Sequence, residues 1–458
     1  MRQKMRKYFG TDGIRRIANT ELTPELVYRV AKAGAYVLSK HADHAPTILI
    51  GRDTRISGTL IESAMVAGFL SYGANVKILG VMPTPGVAYL TKKLKADASV
   101  VISASHNTFE FNGVKYFSNK GMKISDELEE EIEDVMDSGK IYELTAVNDK
   151  IGTSEIATDL LDEYVYFFRK NFEEDFEELN NDNFVVAIDT ANGATSVVAD
   201  KVFTALGIKH YIINDTPNGI NINDGCGSTH MEMLKQYVID KKCSLGIAYD
   251  GDGDRCLAID ENGNEIDGDK ILAVVSKYLK AKGKLNKNTI VATVMSNLGL
   301  NRYCKDNELN FVQTKVGDRY VLEEMLKEGY NLGGEQSGHV ICLDYNPTGD
   351  GILTSLMIIR AILESGKRAS EVAGLMKAYP QVLINAKVSS DKKYDFDKDE
   401  EIKEAIAKLD KEFDGNGRVL IRASGTEPLV RVMIEGEDQE YITKKAREIA
   451  DLIEKRLS

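Results

Sequence analysis

The 458-residue chain contains no run approaching the roughly 20 apolar residues that a membrane-crossing helix needs. Its basic start, MRQKMRKYFGTDG, is not followed by the apolar core of a secretory signal, and Met5 offers an alternative start. The five cysteines (Cys226, Cys243, Cys256, Cys304 and Cys342) are scattered, odd in number and form no CxxC. That pattern fits reduced thiols in the cytoplasm better than a disulfide framework or a thiolate zinc site. The six histidines include no HExxH pair, which excludes a zincin. A basic excess is also lacking. The net charge of −13 argues against a nucleic-acid partner and against an anionic membrane. A small anionic ligand stays open wherever Lys and Arg converge locally, because net charge and local field are separate matters.

What is present is a recurring pattern. TILIGRDTR (Thr47 to Arg55) reads as a buried strand ending in a polar loop, followed by a helix-period run and a strand at Val76–Leu79. The loop VMPTPG opens another helix, and ADASVVISASHN delivers a third strand into a loop. FVVAIDTANGA, IKHYIINDTPNG and KCSLGIAYDGDGDR repeat the scheme, and a fainter copy runs from NTIVATVMSN to NLGGEQSGH. The expected fold class is α/β: three related α/β domains with mixed or mostly parallel sheets between helices, plus a smaller C-terminal α+β domain. The boundaries read are 1–152, 153–258, 259–372 and 378–458. The acidic runs at Glu127–Glu133 and Asp395–Glu404 read as solvated helix faces.

Four loops carry chemistry-bearing side chains. AYDGDGDR places Asp250, Asp252 and Asp254 at a strand end, with glycines that let three carboxylates converge on one hard cation such as Mg²⁺. DGDGDRCLAIDE nearly matches a calcium-binding EF-hand loop. Arg255 stands where that loop needs glycine, and the flanks read as strands. VVISASHN delivers Ser103, Ser105 and His106 into a loop, with Lys115 following at the next strand; Ser105 is a candidate nucleophile, without a GxSxG elbow. GGEQSGH presents Glu335, Ser337 and His339 among small residues, suited to hydrogen-bonding a hydroxylated ligand or to a plain tight turn. RASGTEPLVR offers Arg422, Ser424, Gly425, Thr426 and Arg431, suited to a phosphate or to an ordinary β-turn.

In that order, SASHN, DGDGDR, GEQSGH and RASGTEP resemble the α-D-phosphohexomutase superfamily over essentially the whole chain. FGTDGIR, TKVGDRYV (Thr314 to Val321) and Gln336 within GEQSGH resemble its bacterial glucosamine-phosphate branch. The resemblance implies four domains around a central cleft and a phosphoserine at Ser105. It implies Mg²⁺ on Ser105, Asp250, Asp252 and Asp254, and a phosphosugar substrate held by Arg255, Glu335, Ser337, His339, Arg422, Ser424, Gly425, Thr426 and Arg431. Lys115 or His106 would move the proton, assisted by Arg15. The reaction implied is isomerisation of glucosamine phosphates through glucosamine 1,6-bisphosphate or a similar sugar bisphosphate, in a homodimer. Thr108 replaces the family's usual proline after SASHN, and Arg16 replaces a glycine after GIR. If position 16 needed a positive φ, Arg16 would be strained. The same chemistry on glucose or mannose phosphates, a metal-dependent phosphatase and a non-catalytic sugar-phosphate sensor are the competing readings.

Overall fold

The run TILIGR is β-branched and apolar on both faces, so it suits the interior of a sheet covered on both sides. In the computed structural model, which describes residues 7–10, 12–179, 183–424 and 427–458, it does lie there. Among these residues the strands form four sheets. The first contains β1 (Ile14–Ile17), β2 (Thr47–Arg52), β3 (Asn75–Val81), β4 (Ala98–Ile102), β5 (Phe111–Ser118) and β6 (Ser154–Ile156), in the order β1-β5-β4-β2-β3-β6. Strands β4, β2, β3 and β6 pair in parallel, whereas β5 runs antiparallel to both β4 and β1. The second sheet repeats the plan with β7 (Val186–Asp189), β8 (His210–Ile213), β9 (Leu245–Tyr249), β10 (Cys256–Asp260) and β11 (Glu265–Ile266), in the order β11-β10-β9-β7-β8. The third joins β12 (Thr289–Thr293), β13 (Asn310–Thr314), β14 (Leu332–Gly334) and β15 (Val340–Cys342), in the order β13-β12-β14-β15.

The repeated device is a parallel core strand followed by an antiparallel hairpin partner: β4 to β5, β9 to β10, β14 to β15. Each hairpin turn falls at the carboxyl end of the core strand, where an open α/β sheet presents ligand loops. The turns are Ser103–Glu110, Asp250–Arg255 and Glu335–His339. The DGDGDR flanks are therefore strands, which removes the helix–loop–helix frame a calcium-binding EF-hand requires.

The chain divides into two compact units, 1–295 with 309–375, and 296–308 with 376–458. The first contains the three sheets above. The second is built on β16 (Gln381–Lys387), β17 (Gly417–Ala423) and β18 (Leu429–Gly436), all antiparallel, with helices Glu400–Phe413 and Gln439–Leu457. Its core packs Ile402, Leu409, Val432, Ile434, Ile442 and Ile453.

Two sequence expectations change. The acidic run at Glu127–Glu133 is not simply a solvated face, because helix Asp126–Asp137 buries Glu129 and Glu133. Glu133 accepts the backbone N–H groups of Lys7, Tyr8 and Phe9 at 2.9, 2.6 and 2.8 Å, and Glu129 pairs with Arg319 at 3.1 Å. Composition could not show that one carboxylate fastens the amino-terminal segment. Arg16, in turn, pairs with Asn112 inside β1 and is not among the described residues with positive φ, so its position carries no glycine requirement.

Candidate active site

The serine loop and the aspartate loop meet. Ser105 is 1% exposed, and its hydroxyl donates to Asp250 Oδ2 at 2.6 Å. Its φ is 52°, left-handed for a residue with a Cβ. Such a conformation costs about 1–2 kcal/mol and persists only where the surroundings over-determine it. Gly251 allows the approach. A Cβ there would stand 2.6 Å from the Ser105 carbonyl oxygen.

Asp250, Asp252 and Asp254 are buried, and a carboxylate oxygen from each lies within 4.8 Å of the others. Burial, then Asp254 and Asp252, push the Asp250 carboxyl well above its ordinary value. Three anions at this spacing favour a bound cation. The oxygens show where it fits. Asp252 Oδ2 accepts Thr84 Oγ1 at 2.6 Å and Lys115 Nζ at 2.9 Å, while Asp252 Oδ1 and Asp254 Oδ1 are buried without a hydrogen-bond partner. With Asp250 and Ser105 beside them, these oxygens form an all-oxygen donor set of the kind hard divalent cations take.

Around the triplet runs a closed ring of ionisable groups. Lys115, 2% exposed in the middle of β5 rather than at its start, stands 3.1 Å from Asp12, 2.9 Å from Asp252 and 3.8 Å from Asp254. Burial works against its charge, yet Asp12, Asp252 and Asp254 outweigh it and hold the ammonium well above the usual lysine range. Lys123 bridges Asp12 at 2.6 Å and Asp318 at 2.7 Å. His339 closes the ring, with Nε2 at 3.3 Å from Asp318 and Nδ1 at 3.6 Å from Asp254; the Gly349 N–H donates to Nε2 at 3.0 Å.

This ring borders a cavity of about 590 Å³, lined among others by Lys7, Arg15, Arg16, Arg255, Asp318 and Glu335. Arg15 holds Asn107 Oδ1 at 3.1 Å and Asp12 at 2.9 Å. The Arg255 backbone N–H donates to Asp250, and its buried Nε has no hydrogen-bond partner. Glu335 accepts the Gly317 N–H at 3.2 Å, and burial, then Asp318, raise its carboxyl above the usual value. The Ser337 hydroxyl is buried without a partner. Gln336 turns away, donating to Asp267 at 3.2 Å. His106 is held neutral, pushed down to about 4 by burial, then by Arg255 and Arg15.

In the second unit, Arg422 and Arg431 are direct register partners on β17 and β18. Burial, then Arg431, lower the Arg422 guanidinium. Ser424 Oγ accepts the Glu427 N–H at 3.3 Å. Gly425 and Thr426 lie outside the described residues.

Sequence reasoning missed Asp12, Thr84, Lys123, Asp318 and the Asp53–Arg55 pair. The signal for most of them was available: GTDG, PTPG and GRDTR are polar clusters at or near strand ends, the positions where the other loops carry their chemistry.

Comparison with known proteins agrees with this geometry. The sequence matches all four phosphoglucomutase/phosphomannomutase domains: α/β/α domain I over residues 6–143, domain II over 162–263, domain III over 267–379 and the C-terminal domain over 383–452. The chain belongs to this family of phosphosugar mutases and is an enzyme of the isomerase class. Its relatives narrow the branch to the phosphoglucosamine mutases. Those of Ruminiclostridium cellulolyticum and Acetivibrio thermocellus are each 53% identical over 454 residues, 99% of this chain and 100% of theirs. Among solved structures, a family protein from Burkholderia thailandensis superposes with a TM-score of 0.79 at 20% identity, covering 97% of both chains. N-acetylphosphoglucosamine mutase of Aspergillus fumigatus, solved with GlcNAc-6P and magnesium, superposes with a TM-score of 0.70 at 17% identity, covering 99% of this chain and 96% of that one.

Proposed function

We propose that the enzyme interconverts glucosamine 6-phosphate and glucosamine 1-phosphate through a phosphoserine at Ser105 and a glucosamine 1,6-bisphosphate intermediate. The observation that carries this reading is Ser105, strained, buried and hydrogen-bonded into a triplet of buried aspartates. Asp250, Asp252 and Asp254 would hold Mg²⁺, as would an oxygen on Ser105; when bound, the ion neutralises charge on the transferring phosphoryl group. The Aspergillus neighbour's magnesium supports that choice of ion.

The remaining work falls to the chain's own residues. The sugar hydroxyl attacks phosphorus, the new O–P bond forms as the Ser105 Oγ–P bond breaks, and one proton must pass from the hydroxyl to Oγ. We assign that relay to Lys115, giving a proton to Oγ and taking the sugar's, because its buried amine lies 2.9 Å from Asp252 within the triplet. His106 is too weak a base at about 4. Arg255, Arg15 and Arg16 stabilise the dianionic groups, and Glu335 and Ser337 grip hydroxyls. Arg422, Arg431 and Ser424 take a phosphate of the substrate. Among the described residues no helix is long and apolar enough to cross a membrane, and the five free cysteines are buried, which supports a cytoplasmic enzyme.

The test compares kcat/KM for glucosamine 1-phosphate and glucose 1-phosphate, with Mg²⁺ and a trace of sugar bisphosphate. A strong preference for glucosamine is expected. A preference for glucose or mannose phosphates keeps the chemistry and overturns the substrate, and release of inorganic phosphate alone overturns the mutase reading.

A further inference from the structure

Beneath the serine loop lies a buried guanidinium that the phosphoryl chemistry does not use. Arg55 is 1% exposed, and its side chain makes five hydrogen bonds. Nε donates to Asp53 Oδ2 at 2.8 Å. Nη1 donates to the carbonyls of Thr108 and, at 3.1 Å, Phe111. Nη2 donates to the carbonyls of Ser105 at 3.0 Å and Asn107 at 2.8 Å. Asp53 also accepts the Ser103 hydroxyl at 2.6 Å, and the Ser103 oxygen in turn accepts the Ser105 N–H at 2.9 Å. From the loop after β8, Asn223 Nδ2 donates to the same two carbonyls, Ser105 and Asn107, at 2.8 Å each.

Burying a guanidinium is costly even when it is fully paired, and an aliphatic residue of similar volume would often fill such a space at no loss of stability. The arrangement therefore calls for a reason other than packing. Its donors converge on the carbonyls of the residue with the left-handed backbone and of a near neighbour, while Ser103 fixes that residue's N–H. Both ends of the Ser105 backbone unit are held, and the donors come from two different α/β segments.

We propose that Asp53, Arg55 and Asn223 are positioning residues for phosphoryl transfer, clamping the Ser105 and Asn107 carbonyls so that the serine keeps its left-handed conformation with Oγ against the aspartate triplet. The proposal rests on Ser105 being the phosphoryl carrier. Released from the clamp, the serine backbone relaxes toward the ordinary extended or right-handed regions and carries Oγ away from Asp250. A displacement of about 1 Å at a reacting atom is enough to cost on the order of 10²-fold in rate.

The test uses full-length Asn223→Ala and Arg55→Lys, with the phosphate on Ser105 quantified by mass spectrometry. Asn223→Ala removes one side of the clamp and leaves the buried ion pair intact. Arg55→Lys keeps the charge but cannot reproduce the five-donor fork. Expected is a fall of about 10- to 10²-fold in kcat per mole of phosphorylated Ser105, with KM for the sugar phosphate within about twofold. Mere destabilisation would lower the amount of active protein and leave that normalised rate unchanged. A normalised rate equal to wild type in Asn223→Ala, or in Arg55→Lys where it folds, overturns the clamp. Wild-type enzyme that turns over without phosphate on Ser105 overturns the carrier reading, and the clamp with it.

Discussion

The serine–aspartate centre of the first unit and the arginine pair of the second are built on opposite principles. In the first, nearly every group is buried and held by at least one partner: Ser105 by Asp250, Asp252 by Thr84 and Lys115, Lys123 by Asp12 and Asp318. In the second, two like charges stand directly opposite each other on neighbouring strands, and the Arg431 side chain remains 38% exposed. Like charges in register weaken a sheet. On the proposed reading, the first arrangement fixes geometry at a reacting atom. The second sets two cations side by side, one of them already 3.7 Å from Glu427, where on the proposed reading a phosphate of the substrate docks. The difference separates rate from binding, so substitutions on the two sides should fail in different kinetic constants.

The largest effect is expected from Ser105→Ala. It removes the proposed carrier and one hydrogen bond to Asp250, and leaves the charge ring untouched. Turnover should fall more than about 10³-fold, with circular dichroism and the unfolding transition retained. Near-normal activity in this variant would remove the serine route. On the other side, Arg422→Ala and Arg431→Ala should each raise KM by about 10- to 10²-fold, the range of one or two charge-assisted hydrogen bonds, with a smaller change in kcat. Arg422→Ala should unfold at equal or slightly higher temperature, since it relieves the like-charge pair, whereas Arg431→Ala also loses the contact with Glu427. A loss confined to kcat would erase the contrast between the two regions.

Thr84→Val sharpens the same comparison at a single oxygen. Thr84 holds Asp252 Oδ2, which leaves Oδ1 as the buried, unpartnered atom. The isosteric change removes that hydrogen bond and lets the carboxylate turn. Outer partners of metal ligands commonly contribute 10- to 10²-fold in affinity. The Mg²⁺ concentration for half-maximal activity should therefore rise about tenfold, with activity recovered at saturating Mg²⁺. An unchanged Mg²⁺ titration would mean Thr84 does not orient the ligand.

Much of this was legible in the sequence because strand ends and short polar loops leave local marks. Alternation of apolar runs with Gly-, Asp- and Ser-rich loops gave the fold class, and the three aspartates of DGDGDR converge as their spacing suggested. What stayed illegible depends on partners far apart in the chain. Asp12 and Lys123 meet Lys115 and Asp318 only once segments far apart in the chain are folded together, and no local pattern tells a ring of buried ionisable groups from surface residues. Glu133 was misread for the same reason. Its carboxylate looks solvated in an acidic helix until the backbone of residues 7–9 is seen to close on it. Gln336 shows the converse case: read from the sequence as a mark of one branch of the family, its side chain secures the loop through Asp267 and does not line the cavity described above.

The smallest expected effect concerns His106, beside the proposed carrier serine. Burial, then Arg255 and Arg15, push its imidazole down to about 4. The unfolded chain binds a proton at this residue near pH 6.5, and the folded chain binds it only near pH 4. Between those values the unfolded state holds more protons, so His106 makes stability rise with pH across that window and contributes no pH dependence above it. Substitution by glutamine should flatten the decline in Tm as pH falls from about 6.5 to 4 and leave the pH profile of kcat/KM above pH 6 unchanged. If that profile moved with His106→Gln, the proton relay would belong to His106, and Lys115 would be reduced to a structural counter-charge for Asp12 and Asp252.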